Sequence, residues 1–191
     1  ALDDEPLEIG RIKAYANGWL ENQSIYTHME YKWLLELFRA GLFSECFAEF
    51  RNLLIPFFDP QVYGRSTLDN CSFIVSTTFS DPTMHGQAFQ PHLSGMTCEF
   101  LNIWTLMVAG KKPFYRTEHG QVEFKLDPAL PGWLFTEEEK QIRLIDESSK
   151  WQQVTFPKNS FAFKLFGSIL VTYLNESRMD TFGAAGVKPC Q

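Results

Sequence analysis

The sequence predicts an α+β chain, a helical part followed by a small antiparallel β part. Two patterns carry this reading. Up to about residue 112, apolar residues recur at three- and four-residue steps, as on the buried face of a helix. After Pro113 the period becomes two, and Val122, Phe124 and Leu126 alternate with Gln121, Glu123 and Lys125. A third observation makes a packed fold reasonable. Of 191 residues 45% are hydrophobic and 21% charged, close to globular averages, which sets disorder, collagen and coiled coil aside. The expected domains are 1–112 and 113–191.

In chain order, Thr27-His28-Met29-Glu30 fits a capping box, with Thr27 as N-cap and Glu30 at N3. Met29, Trp33, Leu34, Leu37 and Phe38 then set a helical repeat that Gly41 stops. A second helix starts near Ser44, aligns Phe47, Phe50, Leu53 and Leu54, and ends at Pro56. The short link predicts an antiparallel hairpin of helices. Residues 56–94 carry closely spaced turn signals, from Asp59-Pro60 to Gln90-Pro91, with Phe73-Ile74-Val75 as a short buried segment. Such a long irregular, aromatic-rich stretch is often a lid or site wall. A third helix follows Ser94-Gly95. Phe100, Leu101, Ile103, Trp104, Met107 and Val108 leave it almost no polar face, which predicts deep burial before Gly110 ends it. Strands are expected at 141–145, 151–156, 161–166 and 168–174, and one helical turn at Thr136–Glu139.

Charge and cysteine usage exclude some functions. The net charge is -6, whereas a phosphate-backbone binder would be basic, so nucleic acid is not expected. No apolar run approaches the roughly 20 residues that span a bilayer. The acidic start Ala-Leu-Asp-Asp-Glu-Pro does not read as a signal peptide and lacks an initiator Met, as in a piece of a longer protein. Cys46, Cys71, Cys98 and Cys190 form no CxxC, so no metal site is expected and a reduced, cytoplasmic setting is the plainer reading.

Two helix starts could carry chemistry. His28 falls in a first helical turn, where free N–H groups and the positive dipole end favour an anion. Ser94 and Gly95 combine a hydroxyl with a bare backbone at the next one, a phosphate cradle in miniature. Ordinary capping accounts for the same residues. Glu21 and Asp69 lie in aromatic-flanked loops and could hold sugar hydroxyls; Arg65 would bind an anion or, more simply, pair with Asp69. Most tryptophans suit a core, but Trp19, beside Asn17-Gly18, is placed to stack on a sugar. GxSxG, P-loop, GxGxxG and HExxH motifs are absent.

The segment Glu21–His28 resembles the Glu-Asn-Gly-Gly-x-aromatic-x-His motif of inverting glycoside phosphorylases of the cellobiose and chitobiose phosphorylase type (glycoside hydrolase family 94 and its larger oligoglucan-acting relatives). His92–Thr97 resembles that family's Thr-Gly-Ser turn, and Leu130-Pro131-Gly132-Trp133 its post-barrel segment. Gln23-Ser24 departs from Gly-Gly, and Ser94 from Thr. The resemblance implies the last helices of an (α/α)6 barrel in 1–112 and a C-terminal β domain in 113–191. It implies phosphate ligands at His28, Ser94 and Gly95, and sugar contacts at Glu21, with Trp19, Arg65 and Asp69 the further sugar-site candidates. Phosphate would be a co-substrate with a β-linked glucan or oligosaccharide, no cofactor is implied, and the catalytic acid, an Asp in the family, would lie upstream of this chain. The remainder of the same polypeptide is then a partner, and the reading leaves room for a homodimer. An inverting hydrolase of the same fold and a non-catalytic glycan-binding module are the alternatives.

Overall fold

A computed structural model describes residues 7–91 and 94–189, a mixed helix-and-sheet chain with several small antiparallel sheets. It divides into two compact units at Ile103/Trp104, inside a helix.

In the first unit a 3-10 helix over Leu7–Ala14, broken at Gly10 (φ 80°), leads to strand β1 (Ile25–Tyr26). Helices α1 (Thr27–Arg39) and α2 (Phe43–Leu53) follow as the expected hairpin. Gly41 makes their turn at φ 80°, which glycine adopts without strain. The buried face of α1 is Thr27, Tyr31, Leu34, Leu35 and Phe38. Met29 and Trp33, which the periodicity groups with Leu34 and Phe38, stay 47% and 50% exposed. Cys46, Phe47 and Phe50 of α2 pack in the same core, where Phe38 meets Phe47 edge-on at 5.9 Å. The Tyr31 hydroxyl, fully buried, accepts the Ile55 N–H (3.0 Å) and so satisfies the backbone past the end of α2.

Residues 56–91 hold more order than their turn signals suggest. Asp59 caps the single turn α3 (Pro60–Tyr63) by accepting the Gln61 N–H at 2.9 Å. Strands β2 (Cys71–Ile74) and β3 (Ala88–Pro91) complete an antiparallel sheet in the order β1-β2-β3. Its register sets Tyr26 opposite Phe73 and Phe73 opposite Phe89. These rings stack, Tyr26 on Phe73 at 4.6 Å, Phe73 on Phe89 at 5.7 Å, and Trp19 on Phe89 at 4.1 Å. Ile25, Ile74 and Ala88 share the opposite face.

Helix α4 (Ser94–Ala109) crosses the division between the units. Its expected deep burial holds for Met96, Ile103 and Met107–Ala109, but Leu101 is 56% exposed.

The second unit carries three hairpins, β4–β5 (Phe114–Arg116, Val122–Phe124), β6–β7 (Lys140–Ile145, Trp151–Phe156) and β8–β9 (Ser160–Leu165, Ile169–Leu174). Asp146 closes the second by accepting from Ser148 N and Oγ, Lys150 N and Gln152 Nε2; these bonds hold its carboxyl at about 2. The helical turn expected at 136–139 lies instead at Gly132–Leu134. Residues 180 and 181 fasten the chain back on 128–132. Thr181 Oγ1 donates to Pro128 O (2.7 Å) and accepts from Leu130 N (2.8 Å), while Asp180 Oδ1 accepts from Gly132 N (2.8 Å). Thr181 N donates to Leu130 O, and Gly132 lies so close to Arg178 O that no Cβ fits there.

Among the described residues, no helix is long and apolar enough to cross a membrane.

Candidate functional site

The first turn of α1 is built differently from the capping box. Tyr26, at φ -100° and ψ 89°, precedes the helix, and Thr27 is already helical. The Thr27 hydroxyl, fully buried, donates to Cys71 O of β2 (2.7 Å) and touches Met96 Sδ of α4 (2.9 Å). It is a tie between elements, so it does not cap. Glu30 does not return to the backbone either. Its Oε2 is buried without a hydrogen-bond partner, and burial alone pushes its carboxyl up to about 7.

The Thr27 tie brings the first turns of α1 and α4 together, and with them His28 and Gly95, 67 positions apart in sequence. A Cβ on Gly95 would stand 2.5 Å from His28 Cε1 and about 3 Å from both ring nitrogens. Any side chain at 95 would have to displace the imidazole that lies over it. His28 Nε2 is 3.7 Å from Glu99 Oε1, one turn further along α4, and the ring meets Tyr26 edge-on at 6.0 Å. Both side chains of the His28–Glu99 pair are about four-fifths buried, at 21% and 18% exposure. The Ser94 backbone begins α4, but its side chain, and the anion contact expected of it, lies outside the described residues.

The other candidates are held by different partners. Glu21 is ion-paired with Arg11, whose Nε also donates to it at 3.1 Å; that hydrogen bond, ahead of the charge itself, holds the carboxyl below its ordinary range. Arg65 pairs with Asp69 at 3.1 Å, the simpler of the two roles the sequence offers it. This loop is anchored by Tyr63, whose hydroxyl donates to Asp69 O (2.8 Å) and accepts from Cys71 N (3.0 Å). Cys71 thus accepts from Thr27 on its carbonyl and donates its amide N–H to Tyr63, linking the Arg65–Asp69 pair to the start of α1 by hydrogen bonds. Trp19 lays one ring face on Phe89 and approaches Phe79 at 5.7 Å. Asn22 orders the loop before it, donating from Nδ2 to Tyr15 O (2.8 Å) and Asn17 Oδ1 (3.0 Å). No described contact joins Glu21 or Trp19 to His28.

Sequence reasoning missed Glu99, Arg11 and Tyr63. Glu99 had a signal, since it lies four residues after Gly95 on one face of a helix. Arg11, ten residues from Glu21, had none. Among the described residues there is no group of three or more His, Cys, Asp or Glu side chains that could hold a metal ion.

Compared with known proteins, the chain matches no protein-family model and no curated protein sequence.

Proposed function

We infer that this chain is part of an inverting glycoside phosphorylase, with His28 and the start of α4 at its phosphate site. The observation that carries the reading is the packing of His28 on Gly95. The resemblance asks these two residues to share one anion, and they share one small volume at two helix starts. A helix of 16 residues offers unpaired N–H groups and a positive dipole end at its first turn, and His28 adds a donor or a charge. Gln23 supports the motif indirectly. It stands at φ 60°, the left-handed region that glycine enters freely, at the position where the family carries glycine.

Phosphate held there would attack the anomeric carbon of a β-linked glucan from one face. A carboxylic acid, supplied by the polypeptide beyond these 191 residues, would protonate the leaving oxygen on the other. The product would be an α-sugar 1-phosphate. Phosphate replaces the water of an inverting hydrolase, so no base carboxylate is needed. That suits Glu21 and Asp69, the loop carboxylates a hydrolase of this fold would turn to for its base, which are ion-paired to Arg11 and Arg65. Glu99 opposes any anion at the site, so occupancy calls for a protonated His28 or for a Glu99 side chain rotated out.

A glycan-binding module is the second reading, favoured by the row Tyr26–Phe73–Phe89–Trp19, one end of which, Tyr26, is 38% exposed. One experiment separates the readings. The polypeptide that carries this chain is incubated with β-linked gluco-oligosaccharides, with and without inorganic phosphate. Phosphorolysis gives α-glucose 1-phosphate only with phosphate. A hydrolase releases free sugar without it, and a binding module turns over neither. Replacing His28 by Ala should cost about 2–4 kcal/mol of transition-state stabilisation if the ring serves the phosphate. Unchanged phosphate KM and turnover in His28→Ala would remove His28 from the site.

A further inference from the structure

A cavity of the first unit, about 340 Å³, lies on the sheet face opposite the stacked rings. Its walls include Ile25 and Ile74 of the sheet, Leu53 at the end of α2, and Phe58 and Val62 around α3. The volume lies within the range of small-ligand sites. Into this apolar wall one ionisable side chain is set without a partner, Glu30 of α1. A buried carboxylate oxygen lacking any hydrogen bond is rare and costly. The other ionisable groups of the lining are Asp59 and Tyr63. The Tyr63 hydroxyl is committed to Asp69 O and Cys71 N, and Asp59 adds a second acidic group. Among the described residues, no Lys, Arg or His lines the cavity.

We propose that this cavity is a binding site for an organic cation, a protonated primary amine on an apolar body, with the ammonium paired to the Glu30 carboxylate and the hydrocarbon against Ile25, Leu53, Val62 and Ile74. An ammonium supplies donors to the Glu30 carboxylate and charge to an acidic lining. A neutral alcohol supplies one donor and no charge. A carboxylate is repelled by Glu30 and Asp59. The apolar body covers wall that is otherwise open to water.

The surroundings fix the pH dependence. Inward-turned groups on the elements packed against α1 are Cys46 of α2 and Cys71 of β2, both thiols raised by burial. Tyr31 is raised by burial first and then by the Glu30 charge, and His28 faces Glu99 of α4. No neighbouring charge shifts Glu30; burial alone raises it. The acid form therefore dominates below about 7. An alkylammonium selects the ionised form and displaces a proton to solvent. Affinity should rise from pH 5 to pH 8, while the amine itself stays protonated throughout.

The test uses the purified chain and three probes of equal length, n-hexylamine, n-hexanol and hexanoate, titrated by calorimetry at pH 5 and pH 8. The expected order at pH 8 is amine, then alcohol, then hexanoate. The amine should weaken at pH 5, and Glu30→Gln should weaken it roughly ten-fold or more while sparing the alcohol. Val62→Phe, which leaves the carboxyl in place and fills the cavity, should weaken amine and alcohol alike. Equal affinity for amine and alcohol, or a Glu30→Gln protein that binds the amine as before, would overturn the proposal. So would a Glu30 carboxyl titrating in the ordinary range in carbon-13 NMR of the purified protein, since it would then have a partner within the polypeptide or stand in water.

Discussion

Replacing Glu30 by Gln should make the protein more stable at pH 8 and leave it unchanged at pH 4. The carboxyl titrates at about 7 in the fold against an ordinary 4.5. Below 4.5 it is protonated in both the folded and unfolded chain, so the substitution removes nothing. Between 4.5 and 7 the unfolded chain gives up the proton first, and stability falls as pH rises. Above 7 the folded protein holds a buried, unpartnered charge, and the full cost is present. A pKa difference of about 2.5 corresponds to about 3.4 kcal/mol at 1.36 kcal/mol per pH unit. The side chain is only partly shielded, and solvent screening brings the figure down to about 1–2 kcal/mol. With an m-value of about 2 kcal/mol/M, the urea midpoint of Glu30→Gln should lie roughly 0.5–1 M above that of the parent at pH 8. Urea unfolding at pH 4, 6 and 8 is the assay, read as the difference between the two proteins so that other titrating groups cancel. A difference that does not change with pH would refute the reasoning. It would mean that Glu30 has a partner or stands in water.

Other substitutions probe the remaining ties. Gly95→Val places a branched side chain where the His28 ring lies; it should lower the melting temperature and, on the proposed phosphate-site reading, weaken phosphate use by the polypeptide that carries this chain, whereas a glycine serving only the helix start would leave phosphate affinity alone. Thr27→Val keeps the shape but leaves Cys71 O without its donor, and should cost about 1–3 kcal/mol in urea unfolding. Thr181→Val removes a donor to Pro128 O and an acceptor for Leu130 N together, and should cost a similar or larger amount, read from the melting of the second unit by near-ultraviolet dichroism.

Much of the local structure was legible from sequence because its causes are local. The apolar repeat, Gly41 and Pro56 bounded the helix hairpin to within a few residues. The period-two segments gave β6 to β9 to within one residue at each end, since each hairpin pairs neighbouring sequence. The three-stranded sheet was mostly hidden. Its first strand is two residues long, its third ends in Pro91, and Ile25 finds Ile74 across nearly fifty residues. The capping box failed for the same reason. Thr27 and Glu30 have the right spacing, but Cys71 O, distant in sequence, takes the Thr27 hydroxyl. At the site, spacing alone put His28 and Gly95 at two helix starts; their contact depends on how α1 and α4 pack. Glu30 looked occupied from sequence, and only the cavity shows it to be free.

The fastening of residues 180 and 181 onto 128–132 orders the second unit in time. Its three side-chain bonds each close a loop of about fifty residues, whereas the hairpins β6–β7 and β8–β9 inside that loop close over a few. Short closures form in microseconds and need no distant segment. Long ones wait until the intervening chain is already compact, because closing an unstructured loop costs more entropy as it lengthens. The hairpins therefore come first and the fastening last. A ribosome must release Thr181 before the unit can finish. A bond made after the barrier governs how long the folded unit survives and has little influence on how quickly it forms.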